Sequence, residues 1–176
     1  MNKTILLILL FSFSVLQVTA QPKTLPGKTV IANALKEIKN FQTKEKKSDS
    51  AAGHPLGSYK EEDFLRRYKF YNSVYTKLNS VNKIKLGFND QVNLELLQYS
   101  IEDDISSYKF KTYLNPILSD EGFHTELASM GSEVLTSKKE FENYISRLKD
   151  IPRYIEENLF LMRKGMESGI CQPRSI

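Results

Sequence analysis

Histidine and carboxylate side chains lie close together in one short stretch of the chain, the residues SDEGFHTEL at positions 119–127. Imidazole and carboxylate groups are common zinc ligands, and they are also the usual partners in general acid–base catalysis. A structural zinc site needs about four donors, however, and a single histidine flanked by two glutamates falls short of that number. We therefore interpret the stretch as a packing or cleft loop, with a metal site as the third choice. The candidate residues are Glu121, Gly122, Phe123, His124 and Thr125.

The other residues that could carry chemistry are scattered along the chain. His54 precedes a proline in a polar stretch, which is typical of an exposed loop histidine. Cys171 is the single cysteine, so it forms no internal disulfide, and no partnering base accompanies it. The three adjacent acids at 102–104 point in different directions on one helical turn, which favours a solvated face. No phosphate loop, nucleophile elbow or H-E-x-x-H helix is present, so we predict no catalytic and no metal-binding residue.

The first twenty residues have the pattern of a secretory signal peptide. Lys3 is followed by an apolar run and then by small residues, with a cleavage point between Ala20 and Gln21. The run is shorter than the ~20 residues of a membrane-spanning helix, and no cationic flank follows it. We therefore expect export from the cytoplasm, with no stable membrane anchor after cleavage. The formal net charge of +4 is spread along the chain, and we expect no nucleic-acid partner.

The remainder of the chain divides into two parts. Residues 21–58 contain a weak helical pattern from Lys28 to Phe41, followed by a polar stretch from Thr43 to Ser58 that predicts a flexible linker. Residues 59–176 contain stronger helical patterns, the first of which is predicted to begin at a capping box of Ser58 and Glu61. Since no alternating strand pattern competes with these helices, the predicted class is mostly α.

Apolar residues at steps of three and four define the faces of these helices. The second helix is predicted from about Gln91, capped by Asn89 or Asp90, and an irregular loop is predicted from 111 to 136. A capping box at 137–140 begins the next helix. Pro152 is predicted to break or kink it near Asp150–Ile151 and to stand in the first turn of a new helix, which Gly169 is predicted to end. The four apolar stripes are Phe64–Tyr68–Tyr71–Tyr75–Leu78, Leu94–Leu97–Ile101–Ile105–Tyr108, Phe141–Tyr144–Ile145–Leu148 and Ile155–Leu159–Met162–Met166.

From about residue 91 to residue 174 the sequence resembles the bacterial family named domain of unknown function 885. Members of that family typically carry Y-L-x-P-I and E-G-G-F-H-T segments, then D-Y-x-N-Y-x-x-R-L, then a proline-led helix with M-R-x-G, and a G-x-x-x-P-R ending. The matching residues here are Tyr113, Leu114, Pro116, Ile117, Glu121 to Thr125, Phe141, Asn143, Tyr144, Arg147, Leu148, Pro152, Tyr154, Met162, Arg163, Gly165, Gly169, Pro173 and Arg174.

The resemblance implies a mostly helical protein that is similar to zinc metallopeptidases and is exported to the bacterial periplasm or the extracellular space. The presumed zinc-binding segment of the family resembles H-E-x-x-P-G-H-H and lies several hundred residues downstream, whereas this sequence ends at Ile176. We therefore expect the helical N-terminal part of a larger α-helical, zincin-like protein, truncated before its catalytic half. Zinc is implied for the full-length family and no cofactor for this chain.

The expected partners are the missing C-terminal catalytic half and, through it, a peptide substrate. That half is also expected to cover the apolar stripes that begin at Phe64 and at Ile155. The alternative function is an independent helical binding or interaction protein of the cell envelope.

Overall fold

The computed structural model describes residues 27–118 and 121–172, so the predicted signal peptide, its cleavage site and the ending at Pro173 and Arg174 lie outside the described residues. The described part is mostly helical, as predicted, and none of its helices is long and apolar enough to cross a membrane. The helices are α1 (Gly27–Ala51), α2 (Glu61–Asn79), α3 (Phe88–Lys109), α4 (Phe123–Met130) and α5 (Lys138–Glu167); the strands are β1 (Ile117–Leu118) and β2 (Glu121–Gly122); the 3-10 turns are Lys83–Lys85 and Thr112–Leu114.

The first three helices pack around one apolar core. Leu78 and Val74 of α2 are fully buried, and the predicted stripes of α2 and α3 both face this core. The α2 stripe is therefore covered by α1 and α3 of the same chain, and the expectation that a missing half covers it is wrong. The buried cluster consists of Ile31, Ala34, Tyr71, Val74, Leu78, Leu94, Ile101 and Ile105.

Helix α1 extends ten residues beyond its predicted end at Phe41, so the predicted flexible linker from Thr43 to Ser58 is wrong as far as Ala51. The helix continues to Ala51 because its polar residues have partners on α2 and beyond. Glu45 accepts hydrogen bonds from Arg66 and Arg67 of α2, at 2.7 and 2.8 Å. These contacts anchor a polar helical segment that carries little apolar surface of its own.

The helix starts of α2 and α3 also differ from the predictions. At α2 the predicted Ser58–Glu61 box is absent, and Asp63 instead accepts the backbone N–H of Lys60 at 3.1 Å. Ser58 is buried and donates to Asp49, so its hydroxyl is engaged elsewhere. Helix α3 begins at Phe88, before the predicted caps, with Gly87 in extended conformation at the N-cap.

The segment predicted as an irregular loop from 111 to 136 is largely ordered. The turn Thr112–Leu114 leads into the antiparallel pair β1–β2, in which Ile117 lies opposite Gly122. The rings of Phe64 and Tyr113 stack at 4.6 Å, which joins this turn to α2. The short helix α4 follows β2 directly, so the glycine-centred motif sits where a strand turns into a helix.

Helix α5 continues through Pro152, so the predicted break and the start of a new helix there are wrong. Contacts of Asp150 and Arg153 with residues 56–57 hold the turn on either side of the proline, and they offset the ~3 kcal/mol cost of an interior proline. Both predicted ends are confirmed. Ser137 and Glu140 form the capping box, and Gly169 adopts a left-handed conformation with φ 74° after the last turn.

The buried face of α5 lies one residue away from the predicted stripe. Its inward residues are mostly polar or small, and the predicted residues beginning at Ile155 are half-buried or exposed. Near its C-terminal end, α5 lies close against the backbone at Leu114 because residue 165 is glycine. A Cβ there would lie 2.5 Å from the Leu114 carbonyl oxygen and 2.8 Å from that of Ile170. The buried residues are Asp150, Tyr154, Asn158, Leu161 and Gly165.

Replacing Gly165 by alanine tests this close contact. We expect Gly165→Ala to lower the free energy of unfolding by about 1–2 kcal/mol, because the clash with two backbone carbonyls outweighs alanine's better helix propensity. Urea unfolding measures the change. Gly131→Ala is the matched control, because a Cβ there would meet its nearest atom at 3.5 Å. Equal stability of the two variants would contradict the packing.

Candidate functional site

The motif glycine is required by the backbone at the strand-to-helix junction. Gly122 has φ 142°, a backbone conformation that residues with a Cβ rarely adopt. A Cβ would also lie 2.4 Å from the carbonyl oxygen of Pro116 and 3.0 Å from the Cα of Ile117. The hairpin therefore closes tightly on this residue, and the backbone geometry of the motif requires a glycine there.

The five candidate residues divide into an anchored group and an exposed group. Phe123 meets the ring of Tyr154 edge-on at 6.1 Å, and Thr125 donates from Oγ1 to the Gly122 carbonyl at 2.8 Å. Gly122, Phe123 and Thr125 are half-buried, whereas Glu121 and His124 are exposed. The exposed pair is the part of the motif that is accessible to another molecule.

The buried tyrosine at the centre of the site connects α4 to α5. Tyr154 is 2% exposed, and its hydroxyl donates to Glu126 Oε2 at 2.8 Å. Burial raises the pKa of Tyr154, and the neighbouring Tyr59 and Glu126 raise it further. The hydroxyl therefore stays protonated at neutral pH and acts as a hydrogen-bond donor. The rings of Tyr59 and Tyr154 meet at 81°, with their centroids 5.0 Å apart.

A network of charged residues on α5 holds the segment between α1 and α2. Arg153 donates from Nε and Nη2 to both oxygens of Asp150, at 2.6 and 2.7 Å, and from Nη2 to the Gly57 carbonyl at 2.8 Å. Asp150 also accepts the backbone N–H of Leu56 at 3.0 Å. We call these contacts, together with the two that Glu157 makes with the Tyr59 N–H and with Arg153, the latch.

Glu157 completes the latch one turn later. Its Oε2 accepts the backbone N–H of Tyr59 at 2.9 Å and lies 2.7 Å from Nη1 of Arg153. Burial opposes ionisation of Asp150, but hydrogen bonds from Arg153 and from the Leu56 N–H outweigh it, so the pKa of Asp150 is lowered. Interaction with both carboxylates raises the pKa of Arg153. Asp150 and Arg153 are thus both charged at neutral pH.

One serine, one histidine and one aspartate meet beside the latch, in an order that does not suit nucleophilic catalysis. Ser58 Oγ donates to Asp49 Oδ1 at 2.7 Å, and His54 Nδ1 lies 3.1 Å from the same Oγ. In a hydrolytic triad the histidine stands between the serine and the acid, and the serine is accessible. Here the serine stands in the middle and is 8% exposed. The group fixes the loop after α1.

Two cavities lie next to the latch and share one ion pair. The larger, of about 490 Å³, opens between the end of α1 and the first turns of α5, and the smaller, of about 200 Å³, lies between α4 and Tyr154. Arg147 donates from both terminal nitrogens to the carboxylate of Glu133, and this pair lines both cavities. Interaction with Arg147 lowers the pKa of Glu133.

The zinc that the family resemblance implies does not fit the residues of this chain that the structure describes. No group of three or more histidine, cysteine, aspartate or glutamate side chains there is arranged to hold a metal ion. Glu121 and His124 are exposed, and Glu126 is engaged by Tyr154. No step of a reaction is therefore assigned to a metal here.

Sequence reasoning located the motif but missed the latch. Asp150, Arg153 and Glu157 follow one another at steps of three and four with alternating charge, which is a detectable signal. Their partners at 56–59 are about a hundred residues away in the chain, and no local pattern indicates that contact.

Comparison with known proteins supports the family resemblance. The model of the family described as "Bacterial protein of unknown function (DUF885)" matches residues 25–176. No curated protein and no solved structure matches the chain.

Proposed function

The chain belongs to the bacterial family of unknown function DUF885, and from that premise we propose that it is the N-terminal, non-catalytic portion of an exported, peptidase-like metallohydrolase. The proposal assigns zinc and the catalytic groups to a C-terminal half of the same protein. This portion is a helical support that carries one motif to the edge of the catalytic cleft.

The contacts of the motif are the observation that carries the proposal. Gly122 closes the hairpin and Thr125 bonds its carbonyl, while Phe123 packs against Tyr154 of α5. Glu121 and His124 stay exposed. A segment that is rigidly held yet presents polar side chains at its surface is suited to contact a second body. We propose that the C-terminal half meets the chain at this face, and that a peptide substrate lies nearby.

A second candidate function is an independent binding protein of the cell envelope. The polar cavity of about 490 Å³ beside the latch favours it, because it has the size of small-ligand sites and includes Arg147 and Glu133. That function requires no C-terminal catalytic half, and this requirement separates the two proposals.

Export to the periplasm or the extracellular space forms part of both proposals. It rests on the apolar run before Ala20. N-terminal sequencing of the protein recovered outside the cytoplasm is expected to begin at Gln21. A recovered protein that begins at Met1 would contradict the proposed cleavage.

The motif is expected to hold no metal and to hydrolyse nothing by itself. After incubation with zinc and dialysis, the purified protein should retain no stoichiometric metal, and it should cleave neither peptides nor esters, because no donors converge on His124 within residues 27–118 and 121–172. Elemental analysis and a peptide-library assay measure both outcomes. Zinc or activity that is lost in His124→Ala but kept in the control His54→Ala would overturn the proposal.

A further inference from the structure

Helix α5 carries a second apolar stripe that the rest of the described chain leaves largely open. Its members recur at alternating steps of four and three over almost the whole helix, and we call them the α5 seam. Phe141, Ile145 and Leu148 are 52%, 47% and 42% exposed, and Met166 is 68% exposed. The seam consists of Phe141, Ile145, Leu148, Pro152, Ile155, Leu159, Met162 and Met166.

The spacing of the seam is that of the a and d positions of a coiled coil. Steps of four and three repeat every seven residues, which places all members along one side of the helix. The face that α5 buries within the chain contains Tyr154 and Leu161 and lies beside the seam. A partner helix can therefore pack on the seam without displacing the latch.

Charged residues follow one edge of the seam at intervals of seven. Their signs alternate along the helix, and all four are exposed. The opposite edge carries only uncharged residues at the equivalent positions, and two of them, Asn158 and Gly165, are buried within the chain. The charged edge is Glu142, Lys149, Glu156 and Arg163, and the uncharged edge is Tyr144, Ile151, Asn158 and Gly165.

We propose that the occupant of the α5 seam is the same helix of a second copy of this chain, running antiparallel. In an antiparallel pair the like edges of the two helices meet, so the charged edge of one copy faces the charged edge of the other. Glu142 then faces Arg163 of the second copy, and Lys149 faces Glu156 of the second copy. The two-fold symmetry repeats both pairs, which gives four attractive contacts.

In this antiparallel register the apolar residues of the two seams also face each other in pairs, which we call layers. Each layer combines one residue from the first half of the seam with one from the second half of the other copy. A parallel pair would place each charged edge against an uncharged edge and would gain none of the four contacts. The layers are Phe141 with Met166, Ile145 with Met162, Leu148 with Leu159 and Pro152 with Ile155. Association of this kind needs neither zinc nor a catalytic half.

Charge exchange at one pair tests both the partner and its orientation. Sedimentation analysis of the purified protein should show a concentration-dependent dimer. Lys149→Glu or Glu156→Lys, each of which turns two attractive pairs into repulsive ones, should raise the dissociation constant about tenfold. The double variant should return to the wild-type value. Residues 149 and 156 are seven apart in one helix and do not touch within it, so this rescue reports a contact between copies.

Mixing the two single variants provides a further test. The Lys149→Glu chain and the Glu156→Lys chain should form a heterodimer more tightly than either forms a homodimer. Lys69→Glu, on the exposed side of α2, is the control and should leave the dissociation constant unchanged. A monomeric wild-type protein, or single variants that dimerise like the wild type, would overturn the proposal. Because these variants keep the apolar seam, circular dichroism should show unchanged helix in all of them.

Discussion

Replacing Asp150 by alanine is expected to lower the free energy of unfolding by about 3–5 kcal/mol, the largest loss that we predict for a polar substitution in this chain. The change leaves the half-buried Arg153 guanidinium without its two hydrogen bonds to Asp150 and the Leu56 N–H without an acceptor. Urea unfolding measures the loss, and hydrogen exchange at Leu56 and Tyr59 shows whether the segment is released.

The control for this substitution removes an exposed ion pair of the same kind. Lys28 is 80% exposed and lies 3.9 Å from Asp90, so Lys28→Ala should change the free energy of unfolding by less than about 0.5 kcal/mol. If Asp150→Ala were as mild as the control, the latch would not hold the segment between α1 and α2.

The same carboxylate makes part of the stability dependent on pH. Because the pKa of Asp150 is lower in the folded chain than in the unfolded one, its contribution is present above the unfolded value of about 3.9. It is lost as the pH falls through the lower, folded pKa. The difference in stability between the wild type and Asp150→Ala should therefore shrink below about pH 4, as acid titration of urea midpoints will measure.

Replacing Leu78 by alanine is expected to lower the free energy of unfolding by about 2–5 kcal/mol. Its side chain is fully buried where α1, α2 and α3 meet, so truncation removes apolar contacts and leaves a cavity. Urea unfolding followed by circular dichroism measures the effect. Leu96→Ala on α3 is the control, because Leu96 is 63% exposed. A mild effect at Leu78 would show that the chain has no packed core without a further domain.

The helices of the three-helix core were predictable because burial follows the helical period. Tyr71 and Leu78 on α2, and Ile101 and Ile105 on α3, stand at steps of three and four, and the same residues face the core. The capping box of α5 was predictable for a related reason, since both of its members lie within four residues of each other.

The predictions that failed depend on contacts between distant parts of the chain. The polar end of α1 is helical because Glu45 pairs with two arginines about twenty residues later. The helix through Pro152 continues because Asp150 is held by Leu56, 94 residues away. Periodicity also selected the more apolar face of α5, whereas the face that packs within the chain is partly polar.

The local structure of the motif at 121–125 could be predicted from the sequence only in part. The residue types at 121–125 indicated the motif, and the positive φ of residue 122 explains why a glycine stands there. The division between anchored Phe123 and exposed His124 depends on where Tyr154 of α5 lies, which no pattern near the motif encodes.

The coding sequence beyond codon 176 tests the central proposal most directly. Sequencing the transcript in the native organism should reveal a frame, intact or interrupted, that encodes a further helical part with a segment resembling H-E-x-x-P-G-H-H. That result would place zinc ligands and a general base in a C-terminal half, and it would leave this portion as their support. A transcript that stops after Ile176 with no trace of such a segment would contradict the proposal and favour an independent binding protein.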